Sequence, residues 1–184
     1  PYKPSDGYIT KFSQELPVIS DGSEFINTFE IKKYQKLISG MVGSLSFYGK
    51  VASTLDGTDV RVSKRLSLPA NKLRGFEQSK IGPVDGNEFV GGNYASAVNF
   101  AATLPQILPT LQNLDFGFFI DVANVWGVDY DSSVKDSNQI RSSTGIGLNI
   151  LTPVGPLNFS FSKAITKVSS DKTEFFRFNL GTSF

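Results

Sequence analysis

"LDFGFFIDV", residues 114–122, alternates with a period of two. Leu114, Phe116, Phe118, Ile120 and Val122 fall on one side; Asp115, Gly117, Phe119 and Asp121 fall on the other. An extended chain sends successive side chains to opposite faces, so this stretch reads as a β-strand with one continuous apolar face. The same pattern recurs downstream. In "FFRFNLGTSF" (175–184), Phe176, Phe178, Leu180, Thr182 and Phe184 oppose Phe175, Arg177, Asn179, Gly181 and Ser183. In "LNFSFSKAI", Leu157, Phe159, Phe161 and Ile165 oppose Asn158, Ser160, Ser162 and Ala164, and in "TGIGLNI" Ile146, Leu148 and Ile150 oppose Gly145, Gly147 and Asn149. Helical spacing is scarce. Strands are predicted at about 7–17, 23–36, 40–54, 91–104, 114–126, 140–151, 156–165 and 174–184. Turn residues join them at "SDGS" (20–23), "ISG" (38–40) and "TPVGP" (152–156), while "LPQILPTLQN" (104–113) reads as a proline-containing connection with a short helical turn. The long interruption is 55–90, and a connection of that length usually has a function.

Two architectures fit an all-β chain of this kind. In a soluble sandwich the apolar faces meet each other; in a membrane barrel they meet lipid, and the other faces line the interior. Three features favour the barrel. The strands reach ten residues or more, against about five or six in soluble proteins. The non-apolar faces are rich in Gly, Ser, Asn and Ala rather than Lys and Glu. Aromatic residues (Tyr8, Trp126 and Phe184) stand at strand ends, where interfacial girdles lie.

The composition narrows the function. The chain has 184 residues, 18 basic and 17 acidic, for a net charge of +1, which gives no electrostatic case for nucleic acid. It contains no cysteine and no histidine, so disulfides, thiolate metal sites and any histidine-based catalytic triad are excluded. No run of about 18 apolar residues exists to form a transmembrane helix. The opening "PYKPSDGY" has no charged-then-apolar leader and reads like the interior of a protein.

Several motifs, in order along the chain, resemble the family of BamA-like outer-membrane β-barrel assembly factors, the bacterial surface antigen family. "LRGF" (73–76) is similar to the family's V/I-R-G-[FY] motif in its long sixth extracellular loop, and "IGP" (81–83) and "VGGN" (90–93) resemble the family's segments just downstream of that motif. "FFIDVANVWG" (118–127) resembles the F-x-D-x-G-x-V-W strand. "RSSTGIGLNILTPVGPLNFSFSKAI" (141–165) resembles the next strand pair, and "FRFNLGTSF" the terminal strand. "PSDG" (4–7) is similar to the P-[ST]-x-G turn that begins family strands. Two departures stand out: "RLSLPANK" replaces a Phe-Tyr-x-Gly-Gly run, and Ala123 stands where the strand motif generally has Gly.

The resemblance implies an antiparallel transmembrane β-barrel in the outer membrane of a Gram-negative bacterium. Residues 1–184 would supply about eight strands, the C-terminal half of a sixteen-stranded barrel, without POTRA repeats. It also implies that Arg74 tucks back into the lumen to meet Asp121, with Gly75 allowing close approach and Phe76 packing beside it. Strand parity independently puts Asp121 on the interior face. The alternative leaves Asp121 facing lumen water and Arg74 in solvent. The alternation ending on Phe184 (Phe176, Phe178, Leu180, Gly181, Phe184) resembles the β-signal read by assembly machinery; the alternative makes Phe184 only an interfacial anchor, and both roles can hold at once. Gly145, Gly147, Gly155 and Gly181 take structural roles, making room in the lumen or forming a turn. Asp129, Asp131 and Asp136 lack the Gly and Glu of a calcium loop and read as a solvated loop. With an even strand number the joins at 37–40, 104–113 and 152–156 face the periplasm, and the "ISDGS" hairpin and the 55–90 loop face out.

The function implied is non-enzymatic: folding and inserting β-barrel proteins by strand-edge templating, without cofactor, metal or catalytic residue. The implied partners are the lipid bilayer, nascent outer-membrane proteins, assembly-complex lipoproteins and periplasmic chaperones, with self-association through open strand edges as a further expectation. A secretion transporter of the same superfamily, or a small eight-stranded anchor, adhesin or hydrolase barrel, are the rival readings.

Overall fold

The computed structural model describes residues 4–17, 22–104, 113–129, 133–153 and 155–180. Residues 105–112 of the connection, most of the "ISDGS" hairpin, Asp131, Gly181 and Phe184 lie outside those residues.

The strands are β1 (Gly7–Glu15), β2 (Glu24–Lys36), β3 (Val42–Thr54), β4 (Val84–Asp85), β5 (Glu88–Phe89), β6 (Tyr94–Leu104), β7 (Leu114–Trp126), β8 (Arg141–Thr152), β9 (Gly155–Thr166) and β10 (Phe176–Leu180). Eight of them form a single antiparallel sheet in the order β1-β2-β3-β6-β7-β8-β9-β10, and β4 and β5 form a separate two-stranded hairpin. Among the described residues the large sheet does not close: β1 and β10 are its edges.

The 55–90 connection is more ordered than a loop of its composition suggests. It contains the β4–β5 hairpin and a 3-10 turn at Val62–Lys64, and isolated bridges tie it to Gly92, just before β6, through Leu66 and to Lys135, in the connection between β7 and β8, through Val84. The short join before β3 is likewise a 3-10 turn, Ile38–Gly40. Backbone hydrogen bonds that periodicity could not reveal hold these pieces. The strand ends shift by a few residues: β3, β6 and β10 begin at Val42, Tyr94 and Phe176.

Register decides which face each side chain takes. Phe118 stands opposite Ala102 and Ile146, and Ile120 opposite Phe100 and Thr144. These outward positions are exposed: Phe118 at 51%, Phe100 at 46%, Phe178 at 50%. On the inner face Asp121 stands between Asn99 and Ser143, and Phe119 between Ala101 and Gly145. A two-residue step from Thr152 to Gly155 (φ +121°) turns β8 into β9, with the Thr152 hydroxyl donating to the Gly155 carbonyl at 2.7 Å. A register shift at Ser142/Ser143 takes up Ile165, which stands on the outer side at 60% exposure.

The buried apolar cluster lies on the inner face. Val60, Leu66, Leu68, Leu73, Phe76 and Ile81 from the long connection pack on Ile26, Tyr48, Ala52, Ala95, Ala97, Ala123 and Val125 of the wall. The strand alanines explain why this works. Small side chains across β3, β6 and β7 leave a depression that the connection fills, and close packing of that kind excludes water. Ala123 belongs to this cluster at 3% exposure, so a methyl fits where the resembled motif generally has hydrogen.

Candidate functional site: a connection pinned to the inner wall

The sequence Leu73-Arg74-Gly75-Phe76 runs across the inner face at β7. The Asp121 carboxylate is fully buried and Arg74 is 5% exposed. The Arg74 guanidinium grips the carboxylate with both edges: Nε donates to Oδ2 at 2.7 Å and Nη2 to Oδ1 at 2.7 Å. The Arg74 backbone N–H also donates to Oδ2 at 3.0 Å, and Asn99 Nδ2 donates to Oδ1 at 2.9 Å. Each oxygen therefore accepts two bonds. A buried ion pair repays its desolvation only when geometry is good and the remaining lone pairs are satisfied, and both conditions hold here.

The neighbours complete the site. The Arg74 guanidinium carbon lies 3.5 Å from the Phe119 ring centroid, a cation–π contact. Asn99 donates to the Lys72 carbonyl at 2.8 Å as well, so one amide ties wall, carboxylate and connection together. Lys72 pairs with Glu30 of β2 and holds its ammonium 5.3 Å from the Tyr48 ring. Gly75 has φ +85°, and a Cβ there would sit 3.2 Å from both the Ser143 and Ser162 Cβ atoms. Backbone conformation and close approach both demand glycine. Phe76 is 2% exposed. Gly145 makes room in the same way: a Cβ on it would come within 2.7 Å of Phe119 Cζ and 2.1 Å of the Phe161 carbonyl oxygen.

A second buried pair, whose acidic member no sequence motif marks, stands at the end of the sheet where the long connections emerge. Arg141 is fully buried; its Nε and Nη2 donate to Asp171 at 3.0 and 3.1 Å, and Nη1 donates to Asn124 Oδ1 at 2.6 Å and to the Gln139 carbonyl at 2.7 Å. Asp171 also accepts the Val168 N–H at 2.8 Å. The connection 167–175 is thereby tied to the start of β8 and to β7. The only available signal was the arginine that opens "RSSTGIGLNI", which carries no local mark of its partner.

The loop acids do more than face water. Asp129 accepts Arg65, Asn93 Nδ2 at 2.8 Å and the Val60 N–H at 3.2 Å. Burial alone would raise its carboxyl, but these hydrogen bonds outweigh it and hold the group below the usual range. Asp136 accepts the Gly127 N–H at 2.7 Å. Among the described residues no acidic group has the clustering of a cation site. At the turn after β3, hydrogen bonds from the Thr58 hydroxyl and then its N–H bring Asp56 down from 3.8 to about 2.

The expected interfacial aromatics lie at opposite ends of the sheet. Trp126 ends β7 and stacks on Tyr94 directly opposite, centroids 5.6 Å apart and planes 22° off parallel. Tyr8 lies at the other end on β1, 66% exposed, with Lys33 Nζ 5.5 Å from its ring. Phe176, Phe178 and Leu180 all point outward from β10, beside Phe159 and Phe161 of β9.

An antiparallel sheet with an apolar outer face, a small-residue inner face and a long connection folded onto that inner face defines the class: a membrane β-barrel domain with an inward-turned loop. The family model described as "Omp85 superfamily domain" matches residues 1–184, and the chain belongs to this superfamily. It is 28% identical over 193 residues to the outer membrane protein assembly factor BamA of Neorickettsia risticii (strain Illinois), covering all of this chain and 25% of that protein. It is 22% identical over 223 residues to the BamA of Neisseria meningitidis serogroup B, covering 98% of this chain and 26% of that protein. The chain thus spans about a quarter of the length of these curated relatives. The crystal structure of BamA from Haemophilus ducreyi lacking POTRA domains 1–3 superposes with a TM-score of 0.84 at 26% identity, over 97% of this chain and 38% of that one. The chain is an integral outer-membrane domain of the Omp85 superfamily.

Proposed function

We propose that residues 1–184 form the C-terminal part of a larger outer-membrane barrel that promotes the folding and insertion of other β-barrel proteins. The relatives named as assembly factors support this reading, and their greater length supports the view that further strands complete the wall. The observation that carries it is the connection across β7, held by the Arg74–Asp121 pair. A loop that fills the inner face opposes a wide lumenal path for polypeptide, and leaves the sheet edge as the working surface. β10 offers such an edge: a short amphipathic strand with outward Phe176, Phe178 and Leu180. An incoming strand would pair with it by backbone hydrogen bonds, its own apolar face turned to lipid.

The loop residues Arg74, Gly75 and Phe76 with Asp121 serve as a clamp that sets the shape of the wall. The alternating residues of β10, continued by Gly181 and Phe184, serve as the signal strand, and Tyr8 and Trp126 anchor opposite interfaces. The lipid bilayer and nascent outer-membrane proteins are the direct partners, with lipoprotein subunits and periplasmic chaperones acting around them. The test is reconstitution of the full-length protein in lipid vesicles with a urea-unfolded outer-membrane protein as client. Faster client folding than in empty vesicles, lost in Arg74→Ala, is expected; equal rates with and without the protein would contradict the proposal.

A further inference from the structure

The same connection that grips β7 also grips β10. Arg177 is the second residue of β10 and points inward, opposite Ser160. Its side chain is 9% exposed, and its guanidinium donates to three groups: the Glu174 carboxylate through Nε, the Ala70 carbonyl through Nη1 and the Phe76 carbonyl through Nη2. The backbones are joined as well. Phe76 bridges Thr173, the Glu174 N–H donates to the Gly75 carbonyl at 3.1 Å, and the Glu77 N–H donates to the Lys172 carbonyl at 2.9 Å. The Lys172 N–H returns a bond to the Lys80 carbonyl at 3.1 Å. The segment 172–174 leads directly into β10, so the loop and the terminal strand share one hydrogen-bonded network. β10 itself pairs with β9 over Phe176–Leu180.

From β7 to β10 the connection therefore spans three strand spacings, about 14 Å. Arg74 fixes one end of that span and Arg177 the other. We propose that Arg177 is a positioning residue that couples the inserted loop to the terminal strand, so that the loop's placement sets the order of the β10 edge. Its role in assembly rests on the function proposed above; the coupling itself does not. Withdrawing the loop would strip Arg177 of two carbonyl acceptors and leave a guanidinium beside the buried Ser160 and Asn158. A flat, delocalised fork is needed to reach two carbonyls and a carboxylate together, which lysine's single ammonium cannot do.

The test is amide hydrogen exchange on the full-length protein in lipid nanodiscs, comparing wild type, Arg177→Gln, Arg74→Ala and the double variant, with Arg177→Lys as a milder substitution should Arg177→Gln fold poorly. Loss of charge-assisted hydrogen bonds is expected to raise exchange roughly tenfold at Glu77, Glu174 and residues 178–180 together, with 118–122 unchanged. Arg74→Ala is expected to loosen β10 when Arg177 is present, and to add nothing to β10 in the Arg177→Gln background. Exchange that rises in 176–180 alone, or effects on β10 that simply add, would overturn the coupling. Client folding measured on the same samples bears on the proposed function: coupled exchange without any change in client folding would count against that function while leaving the brace intact.

Discussion

Replacing Asp121 by asparagine removes the charge and almost none of the volume, and the structure shows why it should still be costly. Oδ2 accepts the Arg74 N–H and Nε; Oδ1 accepts Nη2 and the Asn99 amide. Whichever way an asparagine amide is turned, its NH2 group faces two donors and its oxygen can satisfy only the other two. Arg74 meanwhile remains a buried cation without its counter-charge. Breaking such a pair typically costs about 3–5 kcal/mol. Stabilisation of that size shifts a loop-in population by more than a hundredfold, since about 1.4 kcal/mol is a factor of ten. Exchange at the Arg74 amide reads this directly, because its acceptor is the altered carboxylate. The full-length protein in nanodiscs should show protection lost at residues 73–77 in Asp121→Asn and, to a similar extent, in Arg74→Ala. The double variant Arg74→Ala/Asp121→Asn should lose about 2–3 kcal/mol less than the sum of the two, the signature of residues in contact. Losses that add within about 0.5 kcal/mol would refute the pairing.

Three further outcomes are expected. Gly75→Ala should destabilise the inserted loop by about 1–2 kcal/mol from its left-handed backbone alone, with crowding against Ser143 and Ser162 adding to it; exchange at 73–77 measures this, and an unchanged loop would contradict it. Arg141→Ala and Asp171→Asn should each release residues 167–173 by about 3–5 kcal/mol, with coupled rather than additive effects in a double-mutant cycle. The lowered Asp56 carboxyl stabilises the turn after β3 fully at pH above about 4, and that contribution disappears as the pH falls through about 2. Thr58→Ala, which removes the hydroxyl donor, should move the Asp56 titration seen by NMR back toward 3.8, and an unmoved titration would count against the hydrogen bonds as its cause.

The strands were legible because lipid on one side and a crowded interior on the other impose a two-residue period. Phe116, Phe118 and Ile120 on one face and Asp121 on the other could be sorted by parity alone. Arg74 was a different case: only a family resemblance in "LRGF" pointed to its partner, since nothing in a loop's composition records what it folds against. The same limit hid Arg141 with Asp171, Lys72 with Glu30, and Arg177 with the Ala70 and Phe76 carbonyls. These contacts join residues far apart in the chain and leave no periodic trace. The apolar residues of the 55–90 connection were also obscured, because Val60, Leu66, Leu68, Leu73 and Phe76 are spaced irregularly yet converge on one patch of inward alanines.

The central claim is that the Arg74 guanidinium contacts the Asp121 carboxylate on the inner face of β7. Solid-state NMR dipolar recoupling between the 15N-labelled Arg74 side chain and the 13C-labelled Asp121 carboxyl, in the full-length protein in lipid bilayers, measures it directly. A bidentate pair places those nuclei about 3.5 Å apart and predicts strong dephasing. The absence of any coupling, with the Asp121 carboxyl carbon and the guanidinium nitrogens well beyond hydrogen-bonding distance, would contradict it.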